Sequence, residues 1–338
     1  MIASRPPAIG ATPRAAWLGW GILGVLVAMA LWRLFGWRAE VAGASAPWET
    51  VLRLRTGAAT TAALAGAALG LSGLMLQSLL RNPLASPFIL GLSSGAGLGV
   101  AVATWLAWAG AAVMLPVGRV IPASVGALAV LGCVFALGRR RGGLDPLTLV
   151  LAGVCVSSIC AAVGLAFESL IPPAARAPLT SWLMGQVSEI PNPTQLWVTG
   201  LVLFGGGTRG WVLGRAMDVA SFSDDEAESM GVDLAALRRE LFLWAGLCTG
   251  AAVALCGPIA FVGFVAPHLA RMLWGAHHRA LVLGSMTCGA LVLLAADGLR
   301  QAVDLGAGRL PVGVVTALAG GPAFLILLRR ARLSEAER

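Results

Sequence analysis

The chain has 338 residues, of which 58% are hydrophobic and only 12% charged, and its formal net charge is +8. A typical soluble domain carries about 25% charged residues, so this composition excludes an ordinary soluble fold and indicates a surface that faces lipid. Every basic residue is Arg, and the Arg residues lie between apolar stretches rather than interleaved with aromatic residues. This pattern favours a membrane protein, and no nucleic-acid partner is expected.

Crossing a bilayer core takes about 20 residues, and apolar stretches of this length recur along the chain. They predict an all-α, polytopic membrane protein with about ten transmembrane helices, folded as a single transmembrane domain over residues 1–338. No signal-peptidase pattern follows the first apolar run, so we expect that run to remain as the first span. The predicted spans are 16–35, 57–80, 88–108, 118–138, 147–171, 193–213, 238–257, 259–270, 280–303 and 311–330.

The Arg residues predict the orientation of these spans. With the N-terminus inside the cell and strict alternation, 16 of the 24 Arg residues fall inside and 8 outside. Cytoplasmic loops carry an excess of basic residues, so both termini are expected in the cytoplasm.

The longest polar stretch lies between the sixth and seventh spans, and it predicts ordered helices at about 217–237. Ser223 is followed three residues later by Glu226, which is the capping-box pattern. Gly231 stands where that helix would stop, and Asp233 can cap a second one. We therefore expect two short helices joined by Gly231 and Val232 that bind a partner, the alternative being a solvated surface loop.

Small residues indicate close helix packing. Gly91, Gly95 and Gly99 recur every four residues, as do Gly66 and Gly70, so each set shares one helix face.

The cysteines and histidines do not suggest a metal site. The six Cys residues lie in apolar stretches without a C-x-x-C pair, and they are interpreted as small buried residues. The three His residues lack carboxylates or thiolates at ligand spacing, so no metal is expected.

Several segments, in order from about Arg53 to Arg330, carry a family resemblance. They are Leu71–Gln77, Arg81–Ala85, Gly91–Ala96, Glu226–Val232, Gly257–Gly263, Pro267–Arg271 and Leu310–Leu318 followed by Gly321-Pro322. Together they resemble the ten-helix permease family of bacterial ABC importers for iron–siderophore, haem and cobalamin. The resemblance implies the type II ABC importer permease fold and a multi-pass protein of the bacterial inner membrane.

The resemblance also implies partners and a substrate. Two copies of the chain would form a homodimer in the lipid, joined by two cytosolic ABC ATPase subunits and a periplasmic or lipid-anchored substrate-binding protein. The substrate would be an iron(III)–siderophore, with cobalamin or haem as alternatives. The chain itself would be no enzyme and would bind no cofactor. A sequence without Lys cannot contain the P-loop G-x-x-x-x-G-K-[ST], so ATP and Mg²⁺ are expected on the partner ATPase.

Candidate site residues fall into three groups. ATPase coupling is assigned to Ser223, Asp224, Glu226, Ala227, Met230 and Gly231. The translocation path is assigned to Ser72, Gln77, Ser93, Ser94, Ser157 and Ser158. For these serines the alternative is hydroxyl bonding to a carbonyl one turn back.

Docking of the binding protein is assigned to Arg55, Arg300 and Arg309, the alternative being that these residues anchor helix ends at the headgroups. Family members usually carry a second Arg shortly after the position of Arg55, and Glu where this chain has Arg309. Both departures affect the charges expected on the outer face.

Other classes of membrane protein are less well supported. An ion-coupled secondary transporter usually places ionisable residues at mid-membrane, whereas Glu168 and Asp297 are expected near the outer ends of their spans. No acidic or carbonyl filter signature indicates a channel. An intramembrane serine enzyme could use Ser93 or Ser157, but no general base accompanies either.

Overall fold

The computed structural model describes residues 13–35, 48–110, 119–140, 143–302 and 309–322. These residues form helices joined by short turns, with one antiparallel hairpin of two-residue strands, β1 (Arg139–Arg140) and β2 (Gly143–Leu144). The helices are α1 Pro13–Phe35, α2 Trp48–Leu79, a 3₁₀ helix Pro87–Leu90, α3 Leu92–Trp108, α4 Val120–Gly138, α5 Pro146–Leu170, α6 Pro173–Leu183, α7 Pro193–Ala220, α8 Asp224–Ser229, α9 Leu234–Cys256, α10 Val262–Trp274, α11 His278–Ala302 and α12 Val312–Pro322.

The predicted all-α, polytopic architecture is confirmed. Each of the ten predicted spans overlaps one described helix, and the part of the last span at 323–330 lies outside the described residues. Within the part of the chain that the structure describes, five helices, α2, α4, α5, α9 and α11, are long and apolar enough to cross a membrane, and α3, α12 and part of α1 are shorter apolar helices.

The main difference from the predicted spans is α6, which the sequence did not reveal. It has 11 residues and contains Pro178, so it is too short and too interrupted to give a membrane-span signal. In addition, α2 begins at Trp48 and α7 continues to Ala220, each several residues beyond the predicted limit.

Helix α2 forms the centre of the bundle. In its most apolar window 78% of the residues are buried, against 28% in α4 and 22% in α5. The outer helices instead present large apolar side chains, among them Leu151, Ile159, Leu165, Trp197, Leu201 and Phe204. An exposed apolar surface of this extent needs lipid or a partner to cover it.

The two predicted glycine stripes are confirmed as sites of close helix packing. A Cβ at Gly66 would overlap the backbone carbonyl of Gly289 on α11, and one at Gly289 would overlap the carbonyl of Gly66. Gly95 and Gly99 similarly face the backbone of α4. Gly91 has a different role, because with φ of 75° it ends the 3₁₀ helix and precedes α3.

The Gly66 contact gives a stability prediction. We expect Gly66→Ala to lower the free energy of unfolding by about 1–3 kcal/mol, because a backbone carbonyl cannot rotate away from an added methyl group. Thermal unfolding of the purified protein in detergent measures the change. Gly200→Ala is the matched control, since a Cβ at Gly200 on α7 meets nothing within 4 Å. Equal melting temperatures for the two variants would contradict the backbone contact.

Candidate functional site

The polar stretch between α7 and α9 folds as its local sequence predicts. Ser223 Oγ accepts a hydrogen bond from the Glu226 amide at 3.1 Å, and the Ser223 amide donates to Glu226 Oε2 at 3.2 Å. This complete capping box begins α8. After α8 the chain turns at Gly231, whose φ is 81°, and Asp233 Oδ1 accepts from the Ala236 amide to begin α9.

One part of that prediction is wrong. The helix capped by Asp233 is not a second short helix, since it runs without interruption from Leu234 to Cys256 as α9. Any displacement of α8 therefore acts directly on a long buried helix rather than on a second surface helix.

Asp224 connects α8 to the rest of the bundle. Its two carboxylate oxygens accept hydrogen bonds from Arg238 of α9 at 2.9 and 2.8 Å. Arg81, in the turn after α2, contacts Asp224 Oδ1 at 2.6 Å and donates from Nε to the Ala220 carbonyl at the end of α7. The ends of α2, α7 and α9 thus meet at one carboxylate.

Arg81 has an unusual backbone conformation that serves this contact. Its φ is 46°, in the left-handed region that non-glycine residues adopt at a cost of roughly 1–2 kcal/mol. The turn places its guanidinium between Ala220 and Asp224. Sequence reasoning missed both arginines as members of this site, because nothing in the spacing along the chain pairs them with Asp224.

Ala227 and Met230, both assigned to ATPase coupling, differ in their exposure. Ala227 is fully buried, whereas the Met230 side chain is 56% exposed. Ala227 is the one buried residue of α8. It therefore packs α8 against the bundle, and Met230 remains available to a partner together with the exposed acidic residues of α8.

A small cavity of about 10 Å³, enough for roughly one water molecule, lies beside this network. It is bounded by apolar side chains from α2, α7 and α9 and by the two arginines, and its lining is Ser78, Leu79, Arg81, Met217, Ala220, Leu234, Leu237, Arg238 and Leu241.

The Asp224 network predicts a pH dependence. Partial burial would raise the pKa of Asp224, but the hydrogen bonds and charges of Arg238, and then those of Arg81, outweigh this and hold the pKa below its ordinary value. A carboxyl group with a lowered pKa stabilises the folded state above its unfolded pKa, and that contribution is lost as the pH falls through the folded value.

We therefore expect amide exchange in α8, corrected for its intrinsic rate, to be constant above about pH 5 and to accelerate below about pH 4. Hydrogen exchange with mass spectrometry measures this, with Asp224→Asn as the control that should lose the acid transition. Slower corrected exchange at low pH would contradict the assignment.

A second polar contact fixes α11 at the same end of the bundle. Asp218 Oδ1 accepts from the His278 amide at 2.9 Å and lies 2.7 Å from His278 Nδ1, at the first residue of α11. Beside it, the Arg279 guanidinium stacks on the Trp211 ring at 4.3 Å from the ring centroid. Ends of α2, α7, α9 and α11 therefore lie at the end of the bundle where α8 is found, and we call this the α8 end of the bundle.

The predicted translocation residues do not form one continuous lining. Ser72 is buried in the bundle, where its hydroxyl bonds the Ala245 carbonyl and Thr249 Oγ1 of α9. Gln77 Nε2 lies 3.4 Å from the Ala85 carbonyl. Ser157 and Ser158 donate to the carbonyls one turn back, which is the alternative interpretation of these hydroxyls.

Ser93 and Ser94 occupy neighbouring positions at the start of α3. Ser93 is buried, and its hydroxyl has no hydrogen-bond partner among the described residues, whereas Ser94 is half-buried. A buried hydroxyl without a partner is costly. Ser93 is thus a candidate whose buried hydroxyl is left without a partner by the described residues.

The docking arginines lie at the opposite end, where α6 is found, and most are already engaged. Arg300 Nη2 contacts Asp297 Oδ1 at 2.8 Å and is largely buried. Arg55 is buried beside Trp48, with 6.0 Å between its guanidinium and the ring centroid. The prediction that Arg55 and Arg300 are exposed for docking is therefore wrong. Arg309 is exposed but bonds Glu189 at 3.1 Å.

Comparison with known proteins agrees with this architecture. The profile of the FecCD transport family matches residues 19–330. The hemin transport system permease protein HmuU of Yersinia pestis is 34% identical over 287 residues, which cover 85% of each chain. The Fe(3+) dicitrate transport system permease protein FecC of Escherichia coli is 35% identical, with 84% of each chain covered.

A solved structure shows the same fold. It is described as an inward-facing conformation of a metal-chelate type ABC transporter, and it superposes with a TM-score of 0.79 at 26% identity. The match covers 93% of this chain and 99% of that one. The extent of these matches, together with the capped α8 and the lipid-facing bundle, shows that the chain belongs to the FecCD transport family of ABC transporter permeases.

Proposed function

We propose that this chain is the permease subunit of an ATP-driven importer that moves a bulky metal chelate from the outside of the cell membrane into the cytoplasm. The observation that carries the proposal is α8, a capped acidic helix that projects from one end of a lipid-facing bundle and is tied to three long helices. Such a helix offers a surface through which a soluble partner can move the bundle.

The α8 end faces the cytoplasm in this proposal. Arg81, Arg238 and Arg279 lie there, and basic residues are enriched on the cytoplasmic side of membrane proteins. A cysteine introduced at Ser223 should react with an impermeant thiol reagent only after the membrane is opened, with the parent chain and its six native cysteines as control. Labelling of Ser223→Cys in intact cells would reverse the orientation.

The working assembly is a homodimer of this chain with two cytosolic ABC ATPases, which bind ATP and Mg²⁺, and an external substrate-binding protein. Exposed apolar side chains on α5 and α7 leave ample surface for a second copy as well as for lipid. On the outer face, the ion pair of Arg309 with Glu189 is the proposed docking contact.

The substrate class is a metal chelate, with iron(III)–siderophore as the first choice and haem and cobalamin as alternatives. Relatives named for each class support this: a hemin permease, an iron dicitrate permease and a vitamin B12 permease of Klebsiella pneumoniae, the last 35% identical. Uptake of labelled siderophore, haem and cobalamin by cells that carry the complete system would assign the substrate.

An ion-coupled secondary transporter remains the alternative of another class. It requires a carboxylate that can change its protonation and partners during transport. The acidic side chains of Asp297 and Glu240 are instead held by arginine, the first by Arg33 and Arg300 and the second by Arg209. The ion pairs favour the ATP-driven mechanism.

Reconstitution decides between these two mechanisms. Vesicles that contain the permease, its ATPase and the binding protein should accumulate the chelate when ATP is supplied on the α8 side, and not under a proton or sodium gradient alone. Accumulation driven by the gradient without ATP would reject the proposal.

A further inference from the structure

We propose that Asp224 is the residue that positions α8 and transmits its movement to α2 and α9. This inference rests on the proposed function, since it assumes that α8 receives the ATPase. It goes further in naming the intramolecular contact that carries the motion onward into the bundle.

Little apolar area attaches α8 to the bundle. Only Ala227 among its six residues is buried, and alanine offers little apolar area. The orientation of α8 therefore depends on its polar contacts.

Asp224 makes these polar contacts with two arginines. Arg238 reaches both oxygens of Asp224 with one Nη2 nitrogen, and Arg81 also contacts Oδ1. Two guanidiniums, one in the turn after α2 and one on α9, restrict the carboxylate more than one could. Asp224 cannot move without displacing Arg81, Arg238 or both.

The two arginines connect Asp224 to α2 and α9. Arg238 is part of α9, whose buried Thr249 bonds the buried Ser72 of α2. Arg81 follows α2 directly and also holds the last carbonyl of α7. A displacement of Asp224 is thus delivered to both helices that meet at Ser72, in the middle of the bundle.

Asp224 is a positioning residue, so its test needs two measurements, one of the position of α8 and one of transport. In the purified permease alone, we expect Asp224→Asn to accelerate amide exchange over residues 227–232 about threefold to tenfold, the effect of losing partly exposed ion pairs. Exchange in the interior of α9 should not change. Asp225→Asn is the matched control, since it removes the same charge from an exposed neighbour on the same helix.

In the reconstituted importer, Asp224→Asn should still co-purify with the ATPase but should move several-fold less chelate for each ATP hydrolysed. Asp224→Glu, which keeps the charge, should restore most of this ratio. The double variant Asp224→Asn with Arg238→Gln should be no worse than Asp224→Asn, because both changes remove the same contact.

Two results would overturn the proposal: exchange over 227–232 equal to that of the control, or faster exchange with an unchanged ratio of transport to hydrolysis. If the wild-type complex shows no ATP-stimulated uptake, the proposed function fails and the transmission role fails with it. The exchange measurement would then still decide whether Asp224 positions α8.

Discussion

Replacing Asp297 with alanine is expected to lower the free energy of unfolding by about 3–5 kcal/mol, a large part of the total of about 5–15 kcal/mol for a folded domain. Asp297 is fully buried in α11, and its carboxylate accepts from Arg33 Nε at 2.7 Å and from Arg300 Nε at 3.0 Å. Without the carboxylate, two buried guanidiniums would lose their counter-charge and repel each other.

The yield of monodisperse protein and its thermal unfolding in detergent measure this effect. Glu168→Ala is the control, because it removes an acidic group near the end of α5 whose side chain has no ion pair among the described residues. Asp297 of α11 binds Arg33 of α1, so loss of this ion pair should also expose α1 to proteolysis. A melting temperature within a degree or two of wild type would contradict the role of the buried carboxylate.

Ala227→Arg is expected to abolish both ATPase assembly and transport while the membrane helices still insert. The side chain at this position is fully buried between α8 and the bundle, so an arginine there must push α8 outward to reach water. The apolar segments that direct insertion are not altered by the change. Co-purification of the ATPase and vesicle uptake are the measurements.

Glu228→Arg provides the comparison for that variant. It lies next to Ala227, is exposed, and introduces the same side chain with a larger change in charge. Assembly should be weakened by Glu228→Arg in a salt-sensitive way but not lost. Normal assembly and uptake in Ala227→Arg would remove α8 from the coupling pathway.

Features encoded by neighbouring residues could be predicted from the sequence. The capping box depends on a three-residue spacing between Ser223 and Glu226, and the turn at Gly231 depends on one residue that tolerates positive φ. The glycine stripes depend on a four-residue repeat on one helix face. Each of these patterns is complete within one element, so the rest of the fold is not needed to interpret it.

Features that depend on packing between helices could not be predicted in this way. The spacing of Ala227 and Met230 shows that they are near each other, but only the position of α8 on the bundle determines that Ala227 is inside. Arg238 is fourteen residues from Asp224 and lies on a different helix, so the periodicity of a single helix does not pair them. Arg300 lies near the predicted end of its span, yet its ion pair with Asp297, one turn earlier, keeps its side chain largely buried.

Helix α6 illustrates a further limit. Its 11 residues include an internal proline and a charged Arg176, so it gives neither the length nor the hydropathy of a membrane span. Arg176 Nε donates to the Ile171 carbonyl at 2.7 Å, which closes the turn between α5 and α6. The helix is stabilised by this turn and by burial of Leu179 and Trp182, both tertiary effects.

Site-specific photo-crosslinking from Met230 tests most directly whether α8 is where ATP-driven motion enters the permease. Met230 is exposed beside the turn at Gly231, and Ile190, which is 77% exposed near the start of α7, is the matched position at the opposite end. A photoreactive residue at Met230 should crosslink to the ATPase in the assembled complex, and one at Ile190 should not. Crosslinking to the ATPase from Ile190 but not from Met230 would contradict the account.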